Sequence, residues 1–317
     1  HWRVELTEEQ EEILACDNEG LIFEEDDRKD YFEVVHDDPS HQDHVPLAAR
    51  LADASVALVQ SRYLTPHASS DGDVQYSAFT GQFTRGYYRQ YTWRNGRWEV
   101  QSGFERLCQH EPFYGQRNLA FCSGTLVGPN LVATAGHCIR DLDACRNSSF
   151  VFNFRMDGPS IAETRTTFPQ DDVYTCKDIV FRDFVSISQE SDRNRNYDLI
   201  LIELDRDVVG HEPFPVERDT DVVLNDPIVI AGYPAGLPFK YAAGARVTQV
   251  QDGRYYFRTS SDSHQGNSGS PVVNEDTGKM IGVVSYNGPG FFRLGSDNQG
   301  NCAESWRCGT GFPFDCS

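Results

Sequence analysis

No stretch of this sequence approaches the roughly 18 to 20 consecutive apolar residues that a membrane-spanning helix needs, and residues 1–20 lack the basic-then-apolar pattern of a signal peptide. A soluble product with no membrane partner is expected. Basic charge is scarce: 28 Lys and Arg stand against 48 Asp and Glu, a formal net charge of −20. That argues against nucleic acid or anionic lipid as a partner, since either needs clustered cations. The nine cysteines include no CxxC pair, which points away from zinc and dithiol redox chemistry and toward disulfides. An oxidising compartment, secreted or periplasmic, follows. There is no internal repeat, and the one biased tract is an acidic N-terminal arm: residues 1–45 hold 16 acidic residues against 3 basic ones.

Periodic helical segments are also few. Thr7-Glu-Glu-Gln10 has the form of a capping box and predicts a short helix ending near Asn18-Glu-Gly20. From Leu21 onward the chain reads as short β-branched or alternating runs, among them YFEVV, SVALVQ, GTLVG, LVATA, FVFNF, LILIEL, PIVIAGY, ARVTQV, YYFRTS, SPVV and MIGVVSY, separated by Gly, Pro, Asn and Asp. This pattern predicts an all-β barrel or sandwich. Asn95-Gly96 between aromatic runs predicts a tight hairpin. Its Tyr87, Tyr88, Tyr91, Trp93 and Trp98, interleaved with Arg85, Arg89, Arg94 and Arg97, are read as structural cross-strand pairs.

DSHQGNSGSPVV, residues 262–273, sets Ser268 in a glycine-rich turn. A serine hydroxyl is a poor nucleophile at neutral pH, and hydrolytic use of it needs an imidazole to take the proton and a carboxylate to orient that imidazole. His137 in LVATAGHCIR follows an apolar strand and small-residue turn. Asp198 in NYDLILIEL opens a strongly apolar strand, where a carboxylate needs a partner. The three stand at element boundaries in the order His137, Asp198, Ser268.

CSGTLVGPNLVATAGHC, YDLILIEL and GNSGSPVV together resemble the signature blocks of the chymotrypsin-fold serine peptidases, and GNSGSP is similar to the bacterial branch that includes glutamyl endopeptidases. The resemblance implies two six-stranded antiparallel β-barrels with the site in the cleft between them. It divides the chain into an N-terminal extension (1–20), a first barrel carrying His137 and Asp198 (21–210), a second carrying Ser268 (211–290) and a Cys-containing C-terminal tail (291–317), with HEPFPVE, 211–217, as the crossover. It also implies an oxyanion hole from the Gly266 and Ser268 amides, support of Asp198 by Ser285, a substrate pocket lined by Tyr286 and Asn287, and a Cys122–Cys138 disulfide. Protein or peptide substrates and no cofactor are expected.

Specificity is less determined. Asp262, six residues before Ser268, matches the trypsin-type position that attracts Arg or Lys. Bacterial members with other preferences also carry an aspartate there, and Asn287 replaces a small glycine. A glutamyl preference relies in the family on a histidine immediately before the support serine, where this chain has Val284, although Ser263 and His264 could supply substitute donors. Asn267 replaces the aspartate that pairs with a newly freed N-terminus in trypsin-type activation. LIFEEDDRKDYFEV, from Leu21, resembles a mature glutamyl-endopeptidase start, so residues 1–20 are read either as a residual pro-segment or as a solvated acidic arm. Further pairings Cys145–Cys176 and Cys302–Cys308 are expected, leaving Cys16, Cys108 and Cys316. His36, His41 and His44 with nearby aspartates lack strict ligand spacing, and no metal is expected. The reading is a serine endopeptidase, with a latent precursor and a non-catalytic binding protein as alternatives.

Overall fold

The computed structural model describes residues 4–5, 22, 26–36, 45–94, 97–184, 198–250, 256–285 and 292–307. The chain is mostly β, as expected. Six antiparallel strands close a barrel in the order Cys122–Gly128, Leu131–Thr134, Asp198–Leu204, Val173–Phe184, Ser148–Val151 and Ser55–Gln60. Side chains alternate across each strand, so Ile200, Ile202 and Leu204 point inward to meet Val56, Leu58, Leu126, Val132, Phe150 and Tyr174.

A second sheet runs Phe257–Thr259, Lys240–Val250, Pro227–Gly232, Pro271–Asn274 and Lys279–Val283. Its sixth strand comes from the far end of the chain: Arg28–Asp30 pairs with Lys240–Ala242. The two halves share one apolar interface, where Ala57, Val59 and Ala133 meet Val229, Ala231, Tyr233 and Val273. Leu51 of the Val45–Ala54 helix packs into the same cluster. An accessory sheet joins Val4–Glu5, Arg97–Arg106, Arg85–Arg94, Phe292–Asp297 and Gly300–Ser305. It holds the expected aromatic hairpin, with Tyr87 opposite Phe104 and their rings edge to face at 5.1 Å. No helix among the described residues is long and apolar enough to cross a membrane.

Two expectations are corrected. YFEVV is a helix, Tyr31–His36, and not a strand. The Asp30 N–H donates to Glu33 Oε2 at 2.6 Å, half of a capping box, and this local cap overrides the strand preference of Val34 and Val35. Cys302 pairs with Cys108, not Cys308, with Cα atoms 4.9 Å apart. The two cysteines meet because the N-terminal hairpin and the C-terminal strands lie side by side in one sheet, a contact across 194 residues of sequence. Cys145–Cys176 forms as expected. The helix predicted near Thr7–Gly20, the Asn95-Gly96 turn, His41, His44 and the His36 side chain lie outside the described residues, as do Cys16, Cys308 and Cys316.

The crossover is fastened by a buried cation. His211 stacks on Phe152 at 4.3 Å, and its ring nitrogens face Asp53 Oδ1 at 2.9 Å and Asp172 Oδ1 at 3.1 Å. Burial alone would lower its pKa, but the hydrogen bonds to Asp172 and Asp53 outweigh burial and raise it to about 9. A raised histidine pKa stabilises fully below the unfolded value of roughly 6.5, and the stabilisation is lost as pH rises through about 9. Replacing His211 by Gln is therefore expected to cost about 2 kcal/mol near pH 6, where it removes the cation between Asp172 and Asp53. Chemical denaturation should show the gap from the unsubstituted chain closing between pH 6.5 and 9.5.

Candidate active site

His137 stands in the turn after the Leu131–Thr134 strand, and Asp198 is the first residue of the neighbouring Asp198–Leu204 strand. Strand pairing brings together residues 61 positions apart. His137 Nδ1 lies 2.6 Å from Asp198 Oδ2, and the His137 N–H donates to Asp198 Oδ1 at 2.7 Å. Ser285 Oγ donates to Asp198 Oδ2 at 2.6 Å, from just beyond the Lys279–Val283 strand. Burial would raise the Asp198 pKa, but the hydrogen bond and charge of His137, with the Ser285 hydroxyl, hold it below the usual carboxylate value. Asp198 is therefore an anion that fixes the orientation of His137 and favours a proton on Nδ1. The Cys122–Cys138 disulfide pins the residue next to His137.

Ser268 lies in the loop before the Pro271–Asn274 strand and is 9% exposed. Its carbonyl oxygen accepts from the Ser123 N–H at 2.8 Å and lies 3.6 Å from Cys138 Sγ. That sulfur is disulfide-bonded and carries no proton, so the second contact is packing. Among the described residues Ser268 Oγ makes no hydrogen bond to His137.

The loop around Ser268 is built from anchored peptide groups. In a planar trans peptide the C=O and N–H point in opposite directions. Gln265 O accepts from the Ala235 N–H at 2.6 Å, and Asn267 O accepts from the Ser270 N–H at 2.7 Å. The N–H groups opposite those two carbonyls, on Gly266 and Ser268, have no partner among the described residues. The alternate N–H groups turn inward, Asn267 to His264 O at 3.0 Å and Gly269 to Val284 O at 2.6 Å. Gly266 has φ +106°, and a Cβ there would lie 2.7 Å from Tyr233 O. Gly269 has φ +86°, with Ser123 O and Thr134 Oγ1 where a Cβ would go. Only glycine takes both positions without strain. The arrangement presents two unspent N–H groups beside a serine hydroxyl, geometry suited to an anionic oxygen.

The remaining sequence-derived residues have other partners. Asn267 is buried and bridges Ser263 Oγ at 3.0 Å and Ser270 Oγ at 3.2 Å, a neutral brace inside the loop. Ser263 is therefore spent on that brace. His264 is also buried, stacked on Phe292 at 5.1 Å with Nε2 3.2 Å from Ser305 Oγ, and burial and then the Arg28 charge push its pKa down to about 3. It is neutral there. Tyr286 and Asn287 lie outside the described residues. The described His, Cys and carboxylate groupings close enough for a metal all include disulfide sulfurs, which offer no thiolate.

Asp262 is 2% exposed and meets residues 26–28, a segment 235 positions away in the chain. Its Oδ2 accepts from the Asp27 N–H at 2.9 Å, and the two carboxyl groups lie close enough to perturb each other's ionisation. Beside them Arg28 binds Asp26 through Nε at 2.7 Å and Nη2 at 2.5 Å, with its guanidinium over Phe113. Lys240 reaches Asp30 at 2.5 Å and Gln116 at 2.9 Å. No sequence signal marks Arg28, Asp30 and Lys240 as buried.

Burial, then the charge and hydrogen bond of Asp262, raise the Asp27 pKa to about 8. A carboxyl raised above its unfolded value, roughly 3.9, weakens the fold as pH climbs from that value to about 8. Asp27→Asn, a permanently neutral donor, is expected to match the unsubstituted chain in thermal midpoint near pH 4 and to exceed it by a margin that grows up to pH 8.

Residues 122–283 match the family described as trypsin-like peptidase domain. The glutamyl endopeptidase of Bacillus licheniformis is 28% identical over 169 residues, a match that spans 51% of this chain and 48% of that protein. Among solved structures, the Rv3671c protease in an inactive form is 14% identical with a TM-score of 0.41, covering 84% of this chain and 90% of the other. A related structure of that protein is from M. tuberculosis H37Rv. A Glu endopeptidase structure is 16% identical with a TM-score of 0.35, covering 80% and 92%. By the family match over residues 122–283, half of its length, this chain belongs to the trypsin-like peptidase domain family.

Proposed function

We propose that the protein is a serine endopeptidase that cleaves by acyl transfer. The observation that carries this reading is the Ser285–Asp198–His137 chain of hydrogen bonds beside a serine loop with two unspent amides. Ser268 Oγ attacks the peptide carbonyl carbon while His137 Nε2 takes its proton, and Asp198 stabilises the imidazolium that forms. The oxygen of the tetrahedral intermediate becomes negative and is held by the Gly266 and Ser268 amides. His137 then protonates the departing amine, which leaves an acyl ester on Ser268. Water, deprotonated by His137, hydrolyses that ester and restores the serine. Three disulfides support an extracellular site of action.

Asp262 supports a basic residue before the scissile bond. Its carboxylate already accepts from the Asp27 N–H and lies near Arg28, so the preference is modest, about tenfold for Arg or Lys over Gln. The glutamyl preference in the relative's name finds little support in these residues, since Val284 is apolar and His264 is neutral and buried. A latent precursor is the second reading, favoured by the pairing of Val4–Glu5 with the accessory sheet, which docks the N-terminal residues on the body of the protein.

Digestion of a mixed peptide library, read by mass spectrometry, tests these statements together. The expected result is cleavage by the unsubstituted chain that falls at least about ten-thousandfold in Ser268→Ala and about a thousandfold or more in Asp198→Asn. Cuts should follow Arg and Lys. Activity gained only after limited proteolysis near Gly20–Leu21 would select the latent precursor, and equal cleavage by Ser268→Ala would refute the serine mechanism.

A further inference from the structure

Ser123 is fully buried in the Cys122–Gly128 strand of the first barrel, yet its N–H and its hydroxyl are directed at the loop that carries Ser268 and at the turn that supports it. Its N–H donates to Ser268 O at 2.8 Å. Its hydroxyl donates to Gly266 O at 2.8 Å and accepts from the Tyr233 N–H at 2.9 Å. Its own carbonyl accepts from Thr134 Oγ1 at 2.6 Å, which ties the residue to the strand that leads into His137.

The consequence lies in the two peptide planes that meet at Gly266. One plane holds Gln265 O and the Gly266 N–H, and the Ala235 N–H anchors it at Gln265 O. The other holds Gly266 O, and the Ser123 hydroxyl anchors it. With a planar peptide on each side, these two anchors fix both torsions of a residue that has no side chain to restrict them. The same hydroxyl also receives the Tyr233 N–H, so it couples the Ala235 turn to the serine loop. Ala235 itself is held at φ 54°, an uncommon left-handed conformation for a residue with a Cβ. Gly232 leaves room for this arrangement, since a Cβ there would lie 2.8 Å from Ser123 Oγ.

We propose that Ser123 is a positioning residue for the oxyanion hole: by accepting from Tyr233 in the turn that anchors Gln265 O and donating to Gly266 O, its hydroxyl braces both peptide planes at Gly266 and so helps hold the direction of the Gly266 N–H. This rests on the reading of the Gly266 and Ser268 amides as oxyanion donors. Ser123 touches neither substrate nor the reacting atoms. Its removal affects the transition state, where the oxygen carries charge, more than the bound substrate.

The test is steady-state kinetics of Ser123→Ala on a peptide substrate, with inhibition by a peptide boronate, which adds to Ser268 as a tetrahedral anion, and by a non-covalent peptide of the same sequence. The expected result is a kcat lower by about ten- to a hundredfold with KM within about twofold. Boronate affinity should fall in parallel, and affinity for the non-covalent peptide should hold. Should the alanine variant fail to fold, Ser123→Thr and Ser123→Val, which differ by a hydroxyl at matched volume, make the same comparison, with threonine expected to retain the kcat that valine loses. An unchanged kcat in Ser123→Ala, or equal kcat in the threonine and valine variants, overturns the assignment of Ser123 and leaves the peptidase reading intact. A folded, unsubstituted chain that turns over no peptide, before or after limited proteolysis, overturns both.

Discussion

Four consecutive carbonyls, from Gln265 to Ser268, are each held by a donor: the Ala235 N–H, the Ser123 hydroxyl, the Ser270 N–H and the Ser123 N–H. Because a peptide group is planar, fixing its oxygen fixes its hydrogen. The loop therefore has no freedom to turn the Gly266 and Ser268 amides inward without breaking hydrogen bonds in a buried, water-poor setting. Much of the remaining architecture serves those anchors. The first barrel supplies Ser123 from one strand and His137 from the end of the next, the second supplies the turn at Tyr233–Leu237, and the interface between them keeps both in register.

A second layer of constraint comes from charge. An acidic chain of net charge −20 places several ionised groups in its interior beside the serine loop, where isolated charges are costly and each needs a partner. Arg28 is matched by Asp26 and Lys240 by Asp30, and the Asp262 carboxylate accepts from the Asp27 N–H while Asp27 is held toward its neutral form. These pairs join the Arg28–Asp30 strand to the sheet that leads to Ser268. Residues 26–30 are thus structural parts of the second half of the molecule, and the base of the serine loop is built partly from them.

Much of this was legible in the sequence where the pattern is local. Short apolar, β-branched runs marked the Asp198–Leu204 and Pro227–Gly232 strands, and glycines flanking Ser268 marked a turn whose torsions other residues resist. The Asp198 carboxylate at the head of an apolar strand pointed to a partner, and His137 and Ser285 are the partners found. What stayed illegible depended on long-range pairing. Cys108 meets Cys302 only because two distant hairpins share a sheet, and the charged run at residues 24–30 gave no hint that Arg28 would be buried. Tyr31–His36 misled for a local reason, since a single backbone cap from Glu33 outweighed two valines. Ser123 escaped notice because a serine in a strand carries no signal until its neighbours in space are known.

On the proposed mechanism Ser268 is a nucleophile activated by His137 and Asp198, and covalent labelling tests this without assuming a substrate. A fluorophosphonate loses fluoride to an activated serine and leaves a stable phosphonyl ester. Intact mass and peptide mapping of the unsubstituted chain should show one adduct, on Ser268, formed at a rate that falls sharply in Asp198→Asn. A folded protein that acquires no adduct, or acquires it at another serine, would contradict the account.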